Sequence, residues 1–297
     1  MTATISNSIS RDAVNRAIPD ADSFMALMYH NIRPDGEPYP GLSPSASSYF
    51  VSRSAFAEQL AELSACGGRC MTWEAFRAFY RAGGNERTAR ARRPYSALLT
   101  FDDGWKDAVD VGGPLLEQFH CQAIMFITTD FLGRPNFLSR SELSRMNAGV
   151  FRIGSHARTH RMLSLLGEAD IRGELSDSKK LLEDSVGYEI DTLSIPSGAV
   201  DWRVRRIASE CGYRFVFDSE VRINRGGGDP TAIGRVAIMG STPLPTFRSY
   251  VQQRIARERL RRAALQAPKR VLGLPRYEKL RRWLLGEKSG QQVTHPS

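Results

Sequence analysis

The sequence has no long apolar run and no low-complexity linker. No window reaches the ~20 apolar residues that a membrane-spanning helix needs, and residues 1–22 lack the apolar core of a secretion signal. Hydrophobic residues make up 41% of the 297 residues, and no Pro/Ser/Gly-rich segment divides the middle of the chain. We therefore expect one large core in one main domain, synthesised into the cytoplasm.

Cysteine is also scarce. The four cysteines, at positions 66, 70, 121 and 211, include no Cys-x-x-Cys pair. They are too few for the disulfide framework of a small secreted domain. The expectation from the sequence is four buried thiols in a reducing compartment.

The excess of positive charge is confined to the C-terminal region. The formal net charge is +9, and residues 254–282 contain eleven Lys or Arg and two Glu, so the rest of the chain is neutral. Apolar residues recur there at roughly helical spacing among the arginines. A basic amphipathic helix can lie on an anionic membrane surface, whereas a helix packed on the main domain, or a flexible end, is the alternative. No nucleic-acid recognition motif accompanies the charge, so no nucleic-acid partner is expected.

Predicted strands and helices alternate through the middle of the chain, which favours a parallel α/β sheet, either a barrel or doubly wound. The predicted strands are 24–30, 97–101, 122–128, 151–156, 192–196, 215–217 and 233–239, and the predicted helices are 54–66, 71–80, 109–119, 141–147, 169–185 and 202–211.

Two adjacent carboxylates follow the second predicted strand. The apolar run from Ala97 to Phe101 leads directly into Asp102, Asp103 and Gly104. Two neighbouring ionised aspartates repel each other, so the pair needs a cation, a shared proton or open water. The C-terminal ends of strands are where an α/β barrel holds its chemistry. A solvated Asp-Asp-Gly turn between a strand and a helix is the alternative.

Histidines and a Pro-Ser-Gly turn lie at other predicted strand ends. His30 ends the first strand, His156 and His160 follow another, and residues 196–198 form the turn; the chain has only five histidines. Parallel strands of one barrel point the same way, so these residues should meet on one face. An aspartate with two histidines leaves coordination positions open, as in a hydrolytic metal site. A core histidine, a chance histidine pair and an ordinary turn would each explain one feature, but not their combination.

Two of these stretches resemble motifs of the polysaccharide deacetylases of carbohydrate esterase family 4, the NodB-homology domain. Thr100–Gly104 is similar to the first motif and Gly154–His160 to the second, and the similarity extends from Met28 to about Tyr250. The resemblance implies a distorted (β/α) barrel of about seven parallel strands. It also implies one divalent metal per chain, most often Zn²⁺, and hydrolysis of N-acetyl or O-acetyl groups on a sugar chain.

The resemblance also implies roles for individual residues. Asp103, His156 and His160 would hold the metal, and Asp102 would be the general base that takes a proton from the attacking water.

The oxyanion and substrate-binding groups follow from the same resemblance. A backbone N–H of the Pro-Ser-Gly turn, that of Ser197 beside Gly198, would stabilise the oxyanion. Trp105 would either offer a stacking face to a sugar or pack in the core.

Two positions of the third motif depart from the family pattern. Ser194 stands where many members have an arginine, and Ser197 where they have a tyrosine. Arg235, near the start of the late strand, is the candidate to replace that arginine in orienting Asp102.

The late Leu-x-x-His that usually supplies the general acid is absent, because only His295 follows His160. A branch of the family that acts on bacterial exopolysaccharides has an early Met-Tyr-His motif, which Met28–His30 resembles, and uses the histidine of that motif as the general acid. His30 is therefore the candidate acid. The missing groups also leave two alternatives open: a catalytically weak or silent carbohydrate-binding relative, and a hydrolase of a non-sugar C–N bond.

These inferences divide the chain into a flexible N-terminal arm (1–22), a NodB-like catalytic domain (23–250) and a basic helical tail (251–297). The expected substrate is an acylated polysaccharide or a lipid-linked glycan. The expected location is the cytoplasm, or the inner face of the membrane if the tail binds its anionic surface.

Overall fold

The computed structural model describes residues 23–36, 44–81 and 96–262. The strands in these ranges are β1 (Ser23–Tyr29), β2 (Asn31–Arg33), β3 (Phe50–Ser52), β4 (Arg69–Cys70), β5 (Ser96–Phe101), β6 (Ala123–Ile127), β7 (Phe151–Ser155), β8 (Thr192–Ser194), β9 (Phe215–Phe217), β10 (Asn224–Arg225) and β11 (Arg235–Ala237). The helices are α1 (Pro44–Ser47), α2 (Arg53–Ala65), α3 (Trp73–Arg81), α4 (Lys106–Asp110), α5 (Gly112–Gln118), α6 (Arg140–Leu143), α7 (Glu168–Val186), α8 (Trp202–Glu210) and α9 (Leu244–Val251). Single 3₁₀ turns lie at Thr129–Phe131 and Leu163–Leu165, and a turn with non-helical backbone angles at Ser197 lies at Pro196–Gly198.

The main sheet is built of parallel strands. Its central order is β1-β5-β6-β7-β8-β9, and β11 pairs in parallel with the other edge of β1. The N–H of Val216 in β9 donates to the carbonyl of Pro230, and Ile233 N–H donates back to Val216, 2.9 Å each. The segment that leads into β11 therefore connects the last strand to the first, and the sheet curls into a distorted barrel. These seven parallel strands confirm the predicted fold class.

Shorter strands complete the sheet. β10 pairs antiparallel with the beginning of β1, β4 pairs in parallel with the beginning of β5, and β2 and β3 form a separate two-stranded sheet.

Side chains along the strands alternate between an inner and an outer core, as the two-residue period of a strand requires. The inner cluster is covered by aromatic residues of α3, and the outer cluster packs under the other helices. The inner cluster comprises Phe24, Ala26, Met71, Trp73, Phe76, Phe79, Leu98, Ile124, Phe126, Phe215, Phe217 and Ile233.

The same alternation aims polar residues into the C-terminal mouth of the barrel. Steps of two residues lead from inward-facing Phe24 to His30, and from inward-facing Leu98 to Asp102. In β7, Phe151 and Ile153 belong to the outer cluster, so His156 falls on the inward side. Residues distant in sequence thus share one face of the fold.

Cys70 and Cys121 form a disulfide, with their Cα atoms 5.3 Å apart, so the expectation of four free thiols was wrong for these two. β1 occupies one edge of β5, and β4 and β6 share the other. On that edge Cys70, the last residue of β4, lies opposite Ala97, and β6 begins opposite Leu99. The end of β4 therefore lies next to the residues just before β6, which include Cys121. The other two cysteines are free.

Only the beginning of the predicted basic tail is described. Residues 256–262 are helical, and Glu258 accepts hydrogen bonds from Tyr250 and Arg261. The rest of the tail and the predicted N-terminal arm lie outside the described residues. No helix in the described ranges has the length and apolar character required to cross a membrane.

Candidate metal centre

Asp103, His156 and His160 converge at the mouth of the barrel. Asp103 Oδ1 lies 3.6 Å from His156 Nε2 and 3.4 Å from His160 Nε2, and the three ligand atoms lie within 4.8 Å of one another. Two ligands at about 2.1 Å from a tetrahedral zinc ion are about 3.4 Å apart. One carboxylate and two imidazoles at these separations fit a divalent metal, and they leave coordination positions open.

His156 is held in the state that a metal ligand requires. Its Nδ1 lies 2.8 Å from the backbone carbonyl of Ser194. A carbonyl can only accept, so Nδ1 carries the proton and the lone pair of Nε2 faces Asp103. Burial, opposed in part by Asp102, lowers the pKa of His156 to about 4, so the ring is neutral at pH 7.

Backbone strain is concentrated in the site. Among the described residues, seven other than glycine have positive φ, and four lie in the predicted motifs. These four are Asp103 (φ 78°), Ala157 (60°), His160 (65°) and Ser197 (59°). Left-handed conformations cost an L-residue of order 1–3 kcal/mol and persist where surrounding contacts impose them. The loop from His156 to His160 therefore has a strained, left-handed backbone. The position of His160 depends on contacts with residues outside this loop.

Glu174, on α7, supplies that support. Its Oε2 accepts the backbone N–H groups of Arg158 (3.0 Å) and Thr159 (2.8 Å), and its Oε1 accepts the Thr159 hydroxyl (2.6 Å). The carboxylate is 3% exposed, and although burial alone would raise its pKa, these hydrogen bonds hold the pKa of Glu174 below its usual range. Glu174 thus fixes the backbone directly before His160, a role that residue spacing did not identify.

We expect Glu174→Ala to weaken metal binding about 10- to 100-fold, the usual effect of losing a group that orients a ligand. Turnover at limiting metal should fall in parallel and recover at saturating metal. Competition with a chromogenic chelator measures the affinity. Asp177→Ala is the matched control, because Asp177 also bonds Arg158 in this loop (2.9 Å) but is exposed. Equal metal affinity in Glu174→Ala and the control would contradict the role.

Asp102 is paired with Arg235 inside the barrel. Both guanidinium Nη atoms donate to the carboxylate, Nη1 to Oδ1 at 2.7 Å and Nη2 to Oδ2 at 2.9 Å. The remaining N–H groups reach Ser194 Oγ (2.7 Å), Thr100 Oγ1 (3.3 Å) and the carbonyl of Asp218 (3.2 Å). All five guanidinium donors therefore have acceptors.

The sequence suggested that Arg235 contacts Asp102, and the structure contains that contact. Burial alone would raise the pKa of Asp102, but the charge and hydrogen bonds of Arg235, together with His156 and His30, hold the pKa below its usual range. The side chain of Ser194 also donates to Asp102 Oδ2 (3.2 Å). A serine at this position leaves room for an arginine that enters from β11 instead of from β8.

His30 lies beside these groups. Its ring is 4.5 Å from that of Tyr49, and its buried Nδ1 has no hydrogen-bond partner within the described ranges. Burial lowers the pKa of His30, and the carboxylates of Asp103 and Asp102 oppose that shift. The free protein therefore favours the neutral ring, whereas a general acid must carry a proton.

The Pro196–Gly198 turn follows β8 at the same end of the barrel. Ser197 is exposed, and Gly198 has φ +66°. A Cβ on Gly198 would lie 2.2 Å from Ser219 Oγ, so only glycine fits. The oxyanion role of Ser197 and Gly198 stays a prediction.

Trp105 belongs to the core and not to an open sugar-binding face. The residue is 2% exposed, and its ring packs 4.1 Å from Phe137 and 4.8 Å from Phe50, measured between ring centroids. Its Nε1 donates to Asp103 Oδ2 at 3.2 Å. The structure thus favours the packing alternative for Trp105 and adds a contact that orients Asp103.

Comparisons with known proteins agree with this arrangement. Residues 89–216 match the family model for polysaccharide deacetylases. The chain is 24% identical over 155 residues to the Bacillus subtilis protein YxkH, a match that spans 52% of this chain and only 56% of that protein. It is also 24% identical over 238 residues to the poly-β-1,6-N-acetyl-D-glucosamine N-deacetylase of Staphylococcus aureus, covering 73% of this chain and 79% of that enzyme.

A solved structure shows the same fold. IcaB from Ammonifex degensii superimposes with a TM-score of 0.65 at 23% identity, over 78% of this chain and 98% of that one. The segment that matches the family model contains both Asp103 and His160, the first and last of the three clustered ligands. Over this segment the chain resembles the polysaccharide deacetylase family.

Proposed function

We propose that this protein is a metal-dependent hydrolase that removes N-acetyl or O-acetyl groups from a polysaccharide or glycan intermediate in bacterial exopolysaccharide or cell-envelope biosynthesis. The observation that carries the proposal is the group of three metal ligands beside a buried aspartate paired with arginine. This combination provides a cation site and a proton acceptor at one barrel mouth, as hydrolysis requires.

Each residue of the site has its own role in the proposed hydrolysis. Asp103, His156 and His160 would hold one divalent ion, most simply Zn²⁺, which supplies Lewis acidity when bound. Asp102 accepts the proton of the attacking water, and Arg235 keeps that carboxylate ionised and fixed in direction. The backbone at Ser197 and Gly198 is proposed to donate to the developing oxyanion.

Acetate release from defined glycans tests the proposal. The substrates are β-1,6-linked N-acetylglucosamine oligomers, chosen from the name of the S. aureus relative, together with an O-acetylated glycan and an acetanilide as a non-sugar amide. Release from a glycan that stops with a chelator and returns with zinc supports the function. Stoichiometric metal without turnover of any substrate would instead indicate a silent carbohydrate-binding relative, and turnover of the anilide alone would indicate a non-sugar hydrolase.

We expect His30→Ala to lower kcat by about 10²- to 10⁴-fold, the usual contribution of a general acid, while the bound metal is unchanged. Steady-state kinetics with metal analysis checks this. Tyr49→Phe is the control, because it keeps the ring beside His30 and removes only a hydroxyl. A wild-type rate in His30→Ala would exclude the histidine as the acid.

A cytoplasmic location and contact of the basic tail with the inner face of the membrane stay proposals. The cysteine argument for that location no longer stands, because Cys70 and Cys121 are bonded. Thiol trapping in intact cells tests the location. Four reactive cysteines fit the cytoplasm, and two reactive cysteines contradict it.

A further inference from the structure

Two strongly exposed apolar side chains stand on segments that continue from the metal centre. Trp202 is 69% exposed and begins α8, four residues after Gly198. Leu165 is 70% exposed and lies in the turn Leu163–Leu165 that follows His160. They are two of the three large apolar side chains that are strongly exposed in the described ranges.

The two segments are joined to each other. Arg203, on α8, donates to the carbonyls of Leu166 (3.1 Å) and Ser164 (3.0 Å), and its guanidinium also bonds Asp201 (2.8 Å). Residues 163–166 and 201–203 therefore form one continuous edge, called here the Leu165–Trp202 rim. The rim is anchored through hydrogen bonds and presents its two apolar side chains outward.

The indole of Trp202 is held in place from one side. The guanidinium carbon of Arg206 lies 5.5 Å from the centroid of the Trp202 ring, and Arg206 is itself fixed by Glu168 and Glu210, at 2.7 Å each. A ring supported on one face by a restrained cation loses little freedom when a ligand stacks on the other face.

We propose that the Leu165–Trp202 rim is a sugar-binding subsite, at which Trp202 stacks on a unit of the polysaccharide next to the unit that is deacetylated. This rests on the proposed function. The apolar C–H face of a pyranose suits an open aromatic face, and Trp202 follows the turn expected to bind the reacting group by only four residues.

The chemistry of the rim favours a sugar chain over other occupants. The area that two apolar side chains expose is far smaller than the ~800 Å² that each partner buries in a stable protein interface. Arg203 and Arg206 are each paired with carboxylates, so the described rim offers no surplus positive charge to anionic lipid.

The test compares zinc-loaded wild type with Trp202→Ala, Trp202→Phe and a control, Leu260→Ala, which removes an equally exposed apolar side chain from the helical segment 256–262. For Trp202→Ala we expect KM for the acetylated β-1,6 pentamer to rise about ten-fold, with kcat unchanged and with no change for the acetylated monomer. Phenylalanine should recover most of the loss.

Binding of the deacetylated pentamer, measured by titration calorimetry, gives a second readout that needs no turnover. Absence of acetate release with pentamer binding that depends on Trp202 would overturn the proposed reaction and leave the subsite standing. Equal losses on monomer and pentamer, or no loss on either, would overturn the subsite. Binding to phosphatidylglycerol vesicles that Trp202→Ala abolishes, with unchanged pentamer kinetics, would overturn it in favour of a membrane surface.

Discussion

Asp103→Asn should abolish metal binding and acetate release together. Asp103 Oδ1 lies 3.6 Å from the Nε2 atom of His156 and 3.4 Å from that of His160. Its carboxylate is therefore the one negatively charged ligand among the three. A neutral amide is a much weaker ligand for a divalent cation. Loss of the Lewis acid removes several kcal/mol of transition-state stabilisation, which corresponds to a fall in kcat/KM of at least about a thousand-fold.

Asparagine is the appropriate replacement because the backbone at Asp103 is left-handed, with φ 78°. Asparagine tolerates that conformation, whereas alanine would add backbone strain to the loss of charge. The amide oxygen can also still accept the indole N–H of Trp105. A change in thermal unfolding in the absence of metal should therefore be small, and the loss of activity can be assigned to the site.

Metal content per chain, measured by elemental analysis after dialysis, accompanies the rate measurement. Asp110→Ala is the control, since it removes an exposed carboxylate on α4 that pairs only at the surface with Lys106 (3.6 Å). Its rate and metal content should match those of the wild type. A fully active Asp103→Asn, or one that retains a full equivalent of metal, would contradict the assignment of Asp103 as a ligand.

Features governed by local chemistry were predictable from the sequence. Thr72 caps α3 through a bond from Ala75 N–H (3.2 Å), and Ser139 opens α6 with a capping box. The predicted helix 109–119 is instead two helices, α4 and α5, that meet at Val111. A Cβ on Gly112 would lie 3.0 Å from Ile32, so close packing against β2 determines this part of the chain, and helical periodicity does not report such a contact.

The position of His156, one of the three ligands, was predictable for a different reason. Parallel strands with a period of two bring their C-terminal inward positions together, whatever the sequence between them. The same argument placed His30 at the mouth. Strand periodicity does not predict the left-handed loop that turns His160 toward Asp103. The shape of that loop depends on hydrogen bonds to Glu174, which lies in the later helix α7.

Contacts between residues that are distant in sequence could not be predicted from the spacing of those residues. The disulfide joins positions 51 residues apart, and it exists because β4 and β6 share an edge of β5. The polar end of Trp105 was likewise missed, since a tryptophan after a strand suggests a surface for sugar as readily as a buried donor. Such roles follow from the tertiary structure and not from residue type.

Arg235→Met should destabilise the protein as well as inactivate it. Removing the guanidinium leaves the carboxylate of Asp102 buried without a counter-charge, and leaves Ser194 Oγ without its 2.7 Å donor. Breaking a buried pair from one side typically costs about 3–5 kcal/mol. Lysine at this position would keep the charge but lose the bidentate geometry, so Arg235→Lys should fold better than the Met variant and still lose most of its turnover.

The double variant Arg235→Met/Asp102→Asn separates the two effects. Because the buried charge is then gone from both partners, we expect it to be more stable in urea than Arg235→Met alone, while acetate release stays absent for want of a proton acceptor. Lys180→Met, which breaks an exposed ion pair with Asp184, is the control and should cost no more than about 0.5 kcal/mol. If Arg235→Met unfolds at the wild-type urea concentration, or if the double variant is less stable than either single variant, then Arg235 does not act through the charge of Asp102. A stable Arg235→Met that still turned over substrate would leave the orientation of the base to Ser194, the other side chain that donates to Asp102 Oδ2, at 3.2 Å.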